Sequence, residues 1–301
     1  MPGHHPELTA VADSIALNGP GVGVLDLAQH ALDFYTIRYS DYPPRVLASE
    51  VARCRSLLID HSTVSTDMRR VVGWLSALLG NLAHHTGDAP GAFVHLGAAS
   101  RAGVRVGEPR LTGWALGAQS MAAMAQDRPA EALELAEQAA EYADTPLRRA
   151  QTTAWCRLRP LAALGDWGRL DESVAASQLH MDAADREEGG RFGFDRAEFH
   201  LHLGEALLGR DPAAAGRHAE TSAGLKRAGS PGWAAATAVL ARAHAAARDS
   251  RSATVLGVGV LESVPSGALR ATTRGRLRQL ATDLHGQPGA EDLRAALRDE
   301  G

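Results

Sequence analysis

The hydrophobic stretches of this chain are short, rich in alanine and leucine, and cut at regular intervals by polar breakers. Runs of β-branched residues are scarce, which favours helix over strand. One set of breakers is Gly87-Asp88-Ala89-Pro90, Gln126-Asp127-Arg128-Pro129, Leu164-Gly165-Asp166-Trp167, Gly209-Arg210-Asp211-Pro212 and Arg248-Asp249-Ser250. They recur every roughly 38 to 44 residues, the period of paired-helix repeats. Proline just after a break suits the first position of the next helix, where its missing N–H costs nothing. A second set divides each unit: Gly107-Glu108-Pro109, Asp144-Thr145-Pro146, Glu188-Gly189-Gly190, Gly229-Ser230-Pro231 and Val264-Pro265-Ser266. The pattern predicts helix, short turn, helix, short turn, with helices at roughly 65–86, 89–105, 109–125, 129–143, 146–164 and 167–184, and onward to roughly 290–299.

The expected architecture is an all-α, right-handed solenoid of about seven antiparallel hairpins, similar to tetratricopeptide (TPR) repeats. In the unit running from Trp114-Ala115-Leu116-Gly117 to Arg128-Pro129-Ala130-Glu131-Ala132-Leu133, an aromatic residue opens the first helix and small Ala132 sits early in the second. A large side chain then faces a small one and the helices approach closely. The repeat domain is expected over 21–301, preceded by a polar, glycine-bearing segment at 1–20 that is expected to be only partly ordered.

Composition and charge narrow the function classes. The chain has 301 residues, 45% hydrophobic and 22% charged, as in soluble globular proteins. Its net charge of −4 makes it a poor duplex binder unless basic residues are segregated. The best candidate stripe is Arg270, Arg274, Arg276 and Arg278, whose plain reading is a solvated helix face. Apolar runs fall well short of the ~18 residues a membrane span requires. Cys54 and Cys156 lie far apart without CxxC spacing, which disfavours a disulfide framework and a zinc ribbon. A reduced, cytoplasmic protein is expected.

Several stretches resemble the TPR-like C-terminal region of actinobacterial xenobiotic-response-element-type transcriptional regulators. They include Leu79-Gly80-Asn81-Leu82-Ala83-His84-His85-Thr86-Gly87-Asp88, Thr145-Pro146-Leu147-Arg148-Arg149-Ala150-Gln151, Gly190-Arg191-Phe192-Gly193-Phe194-Asp195 and Pro231-Gly232-Trp233-Ala234. In that family a helix-turn-helix domain precedes the repeats, whereas here Met1 leads almost directly into them. The resemblance therefore implies a sensing or interaction domain, without a DNA-reading part of its own.

Three constellations carry candidate chemistry. Asp195, Glu198, His202 and Glu205 share one face of a helix starting near Phe194. Glu198 and His202, four apart, suit either a metal or acid–base catalysis, with Asp195 as a further catalytic candidate; an ordinary hydrated stripe is the plain alternative. His85 on one helix and His95 on the next form a second candidate metal pair, set against simple capping near the Thr86-Gly87-Asp88 turn. First helices of such repeats line the concave face, so Gln119, Arg157 and Arg159 are candidate binders of a carboxylate or phosphate. Trp114, Trp155, Arg191 and Phe199 complete the ligand-binding candidates, the aromatics serving equally as core wedges between helices.

No P-loop, GxGxxG, GxSxG or HExxH motif is present, and no cofactor is implied. Three functions stay open. One is a sensor or interaction module taking a small molecule or peptide in its groove. Another is an enzyme of specialised metabolism, such as a cyclase, isomerase or metal-dependent enzyme, working in the same pocket. The last is a co-regulator dimerising with a full-length regulator. The apolar N-terminal helices around Leu25, Leu32, Phe34 and Tyr35 leave a homodimer contact open as well.

Overall fold

A computed structural model describes residues 5–18, 23–61 and 65–299. Among these residues the architecture is helical throughout, apart from one isolated bridge between Glu188 and Phe194. The helices are α1 (Pro6–Asn18), α2 (Val24–Ile37), α3 (Pro44–Leu58), α4 (Thr66–Thr86), α5 (Ala89–Val106), α6 (Pro109–Met124) and α7 (Pro129–Ala140). A composite rod follows: α8 (Pro146–Gln151), a π-helical turn (Thr152–Arg157) and α9 (Leu158–Ala163). Then come α10 (Trp167–Asp182), α11 (Arg196–Leu207), α12 (Pro212–Gly224), α13 (Pro231–Ala246) and α14 (Ser250–Ser263). A 3-10 turn at Ser266–Ala268 leads to α15 (Ala271–Asp283) and α16 (Ala290–Asp299).

The breakers act as helix punctuation. Asp88, Asp166, Asp211 and Asp249 each cap the following helix by accepting a backbone N–H, at 2.9, 3.2, 2.9 and 3.1 Å. Before the first two of these, Gly87 and Gly165 take the left-handed conformation, with φ of 84° and 70°. The α6–α7 turn is built differently: Asp127 itself is left-handed, with φ 55°, and Arg128 caps α7 with no side-chain bond.

Consecutive helices pack as hairpins, α4 on α5, α6 on α7, the composite rod on α10, α11 on α12 and α13 on α14. Each hairpin also packs on the next through contacts such as α5 on α6 and α12 on α13. Close approach depends on small residues: a Cβ on Gly117 would stand 2.6 Å from Cys156 Sγ, between α6 and the rod. Ala132 is fully buried, as its small-residue role requires. The fold is an all-α, TPR-like solenoid of helical hairpins.

The N-terminal segment is helical over most of its described residues. Within 1–20, residues Pro6–Asn18 form a helix that packs on α3 and buries Leu8, Ala12 and Ile15; residues 1–4 and 19–20 lie outside the described residues. Leu32 and Tyr35, expected to offer a dimer contact, are buried in the chain's own core, and Leu25 and Phe34 pack against it.

The rod's π turn has an identifiable cause. Pro160 has no N–H to give Cys156, four residues earlier, and its ring crowds that carbonyl. The Ser120 hydroxyl on α6 lies 3.2 Å from Cys156 O, although its single proton has a closer acceptor in Ala132 O at 2.7 Å.

The solenoid curls until its last repeat meets its first. Helix α15 packs against α4 as well as α13, and the Cβ of Ala271 lies 3.6 Å from where a Cβ on Gly87 would stand. Across this seam Arg270 Nη2 donates to Ser40 Oγ at 3.0 Å, and Thr272 Oγ1 lies 3.4 Å from His85 Nδ1. The concave face thereby becomes a chamber. No helix among the described residues is long and apolar enough to cross a membrane.

Candidate functional site: a central polar chamber

The chamber is lined by the first helices of successive hairpins, α4, α6, the rod, α11, α13 and α15. It has three connected lobes, of about 260, 540 and 680 Å3. The first and middle lobes meet at Trp155, Arg191, Glu198, His202, Gly232 and Arg270. The middle and third lobes share Met124, Arg159, Arg242 and Arg276.

One wall is the segment between α10 and α11, which crosses to the N-terminal helices. Its Arg191 N–H donates to Thr36 O at 3.1 Å, while Glu188 N–H donates to Phe194 O at 3.1 Å. Phe192 drives into the core against Trp74 and Trp114, at ring separations of 4.4 and 4.7 Å. Arg148 and Gln151 on α8 hold the segment from below, donating to Phe192 O at 3.2 Å and Gly193 O at 3.1 Å. The chain folds so tightly here that a Cβ on Gly193 would sit 2.1 Å from Glu188 O, so only glycine fits.

On α11, the shared face expected from the sequence becomes a buried charge relay. Lys226 pairs with Glu198, whose Oε2 lies 3.6 Å from His202 Nε2; His202 Nδ1 lies 3.1 Å from Glu205 Oε2. Glu205 in turn accepts from Arg276 Nε at 2.7 Å and faces Arg159 at 3.9 Å. Burial pulls the His202 pKa down, yet the hydrogen bonds and charges of Glu198 and Glu205 outweigh it, so His202 titrates above its ordinary value. Burial pushes both carboxyls up, but Lys226 and His202 hold Glu198, and Arg159, Arg276 and His202 hold Glu205, well below the usual carboxylate range. Asp195 belongs to the relay only indirectly: it caps α11, accepting from Glu198 N–H at 2.8 Å, and burial raises its pKa.

Across the chamber, His84 and His85 both shift in the direction opposite to His202. Burial, with the charges of Arg159, Arg276 and Arg191, lowers His84 to about 4. Burial and Arg270 keep His85 neutral as well, and His85 Nε2 is buried without a partner. Beside it, Tyr39 donates to Asn81 Oδ1 at 2.6 Å, and the guanidinium groups of both Arg191 and Arg270 lie 5.3 Å from the Tyr39 ring centroid.

The predicted site residues divide accordingly. Trp155, Arg159, Arg191, Glu198, His202 and His85 line the middle lobe, and Asp195 lines the first. Trp114 is instead a core wedge, 5.3 Å from the Trp155 ring, and Phe199 is fully buried against Phe194. Gln119 folds back to donate to Ala115 O at 3.3 Å, and neither it nor Arg157 lines the chamber. Arg157 and Arg159 are two apart on the rod, and such residues face different sides of a helix. His95 lies beside Arg55 and Asp88, away from the chamber, so it does not pair with His85. Among the described residues no three His, Cys, Asp or Glu side chains are grouped to hold a metal ion.

Sequence reasoning missed Tyr39, Lys226 and Arg242 and misplaced part of the basic stripe. Arg270 is only 9% exposed, and Arg276 pairs with Glu205 rather than with solvent. Their one signal was arginine at a helix start and again six residues later, which cannot reveal what lies opposite.

These features define the class: a TPR-like solenoid closed around a polar chamber. No family model matches the chain, and no curated protein sequence resembles it. Among solved structures, it is similar to a chain in the crystal structure of the APC/C hetero-tetramer Cut9-Hcn1, with a TM-score of 0.46 and 14% identity. That alignment covers 97% of this chain and 55% of the other, so this chain spans about half of its neighbour's length.

Proposed function

We propose that the chain is a ligand-sensing module whose central chamber takes up a small molecule. The observation that carries this reading is the closure of the last repeat onto the first, which turns an open groove into a chamber with a middle lobe of about 540 Å3. That size falls within the range of pockets that enclose drug-sized ligands. The reading agrees with the sensing role that the resemblance to repeat-containing regulators implies. It includes no direct DNA contact, since Arg270 and Arg276 of the basic stripe face the chamber. Buried, free Cys54 and Cys156 suit a reducing, cytoplasmic setting.

Acid–base catalysis at His202 has less support. Both imidazole nitrogens face carboxylates, and Glu198 and Glu205 are themselves neutralised by Lys226, Arg159 and Arg276. Such a relay fixes charge and holds the wall of the chamber.

The test uses Gly275 on α15, which lines the middle lobe and has nothing within 4 Å of an added Cβ. The Cβ of Gly275→Leu has open space, so the longer side chain should obstruct the middle lobe while raising helix stability by about 1 kcal/mol. A metabolite panel read by thermal shift should contain ligands that stabilise the wild type and not this variant. Binding confined to extended peptides and indifferent to Gly275→Leu would point to the outer surface instead.

A further inference from the structure

Apart from the exposed Arg227 at the rim of the first lobe, most cations at the chamber have a counter-charge. Lys226 faces Glu198, Arg276 and Arg159 face Glu205, and Arg242 pairs with Asp283 at 3.1 Å. Arg191 and Arg270 are different. Neither makes a salt bridge among the described residues, although both line the junction of the first two lobes; Glu198 acts on both only from beyond salt-bridge distance, and it is already paired with Lys226. Arg270 is 91% buried by its 9% exposure, and its hydrogen bond goes to the neutral Ser40 hydroxyl. Arg191 Nε is buried with no partner at all, and so is the neighbouring His85 Nε2. Both guanidinium groups pack against the Tyr39 ring, each 5.3 Å from its centroid, so two like charges share one aromatic platform.

Burying unneutralised charge is costly, and proteins ordinarily pair or hydrogen-bond such groups. Guanidinium forks fit the oxygens of carboxylates and phosphates two at a time. Beyond the two arginines, the middle lobe presents the apolar side chains of Met121, Ala122, Leu201 and Ala235. We infer that Arg191 and Arg270 bind the anionic group, carboxylate or phosphate, of an amphipathic small molecule whose apolar body lies along Met121, Ala122, Leu201 and Ala235. His85 Nε2 supplies a further hydrogen bond to the same ligand. The inference rests on the chamber reading above and names the ligand class for it.

Calorimetric titration with three matched probes tests it: benzoate, phenyl phosphate and the neutral benzyl alcohol, at constant ionic strength. At least one anion should bind, and the alcohol should bind about tenfold more weakly or worse, the loss of one charge-assisted contact. The stronger anion identifies the group as carboxylate or phosphate. Arg191→Gln and Arg270→Gln should each weaken the anion by about tenfold. Arg278→Gln, on the exposed face of α15, should leave the affinity unchanged. If Arg270→Gln fails to fold, judged by circular dichroism, Arg191→Gln carries the comparison. Equal binding of anions and alcohol, no binding of any probe, or anion binding unaffected by either arginine substitution would overturn the inference. So would binding of a peptide with a free C-terminus in place of the small anions. Gly275→Leu separates the two readings. Probe binding lost in that variant but indifferent to the arginines leaves the chamber standing without the anion site; binding that survives it removes the chamber as well.

Discussion

At the scale of single residues, the buried relay sets how the protein responds to substitution and to pH. Glu205 faces three cations at once, His202, Arg159 and Arg276, and it is almost wholly buried. Glu205→Gln keeps the shape but leaves those cations facing a neutral amide. Loss of one partner from a buried ion pair costs about 3–5 kcal/mol, and urea unfolding should register a destabilisation of that order. A change below about 1 kcal/mol would mean that the cluster is solvated as surface pairs are.

The pH dependence has two opposing arms. His84 has its folded pKa lowered from 6.5 to about 4, so the unfolded chain binds more protons between those values and stability falls as pH drops through that window. Glu198 and Glu205, depressed in the folded state, add a loss at still lower pH, as it falls through their folded values. His202 works the other way: its raised pKa gives stability that is full below the ordinary imidazole range and lost as pH rises through the folded value. Melting temperatures across a pH series should show the acid-side decline, and His84→Gln should make it shallower between 6.5 and about 4, His85 carrying the part that remains. An unchanged slope in that variant would place the titrating group elsewhere.

At the scale of elements, the segment between α10 and α11 decides whether the chamber has a wall. Its hairpin-like fold depends on Gly193, and its docking on Phe192 and on the Arg148 and Gln151 anchors. Gly193→Ala brings a methyl into Glu188 O, and the segment should lift from the core. Brief trypsin digestion should then cut after Arg191, a site the wild type protects because its N–H is bonded to Thr36. Continued resistance at Arg191 would show that the segment tolerates the methyl by shifting in place. The repeats themselves rest on local signals. Aspartate caps and left-handed glycines lie within a few residues of the helices they end, so the hairpin punctuation was open to sequence reasoning. The π turn was not, because what surrounds it, such as Ser120 of another helix 3.2 Å from Cys156 O, is set by packing rather than by neighbouring residues.

At the scale of the whole molecule, closure couples repeats that an open solenoid would keep independent. Arg270 and Ser40 are separated by 230 positions, yet they bond across the seam. A wedge at that seam should act at a distance. Ala271→Trp crowds Gly87 and should loosen α15 and the last turn of α4, seen as faster amide hydrogen exchange in both, with lower affinity for any chamber ligand. Exchange in α6 and α7 should stay as in the wild type. Uniformly faster exchange would indicate general destabilisation rather than an opened seam.

The sequence by itself determined the helices that follow the N-terminal segment, their order, the paired-repeat period and the face of α11 that carries Glu198, His202 and Glu205. Each of these follows from residues a few positions apart, through capping, turn geometry and the 3.6-residue helical repeat. Tertiary structure alone decided which faces meet. It turned Trp114 and Phe199 into core, separated His85 from His95, and drew Arg270 and Arg276 out of an expected solvated stripe. It also set Tyr39 between two arginines from far along the chain. The physical reason is accumulation: a small rotation from each hairpin to the next is invisible in any one repeat, yet their sum brings the last helix back to the first and makes a groove into a chamber.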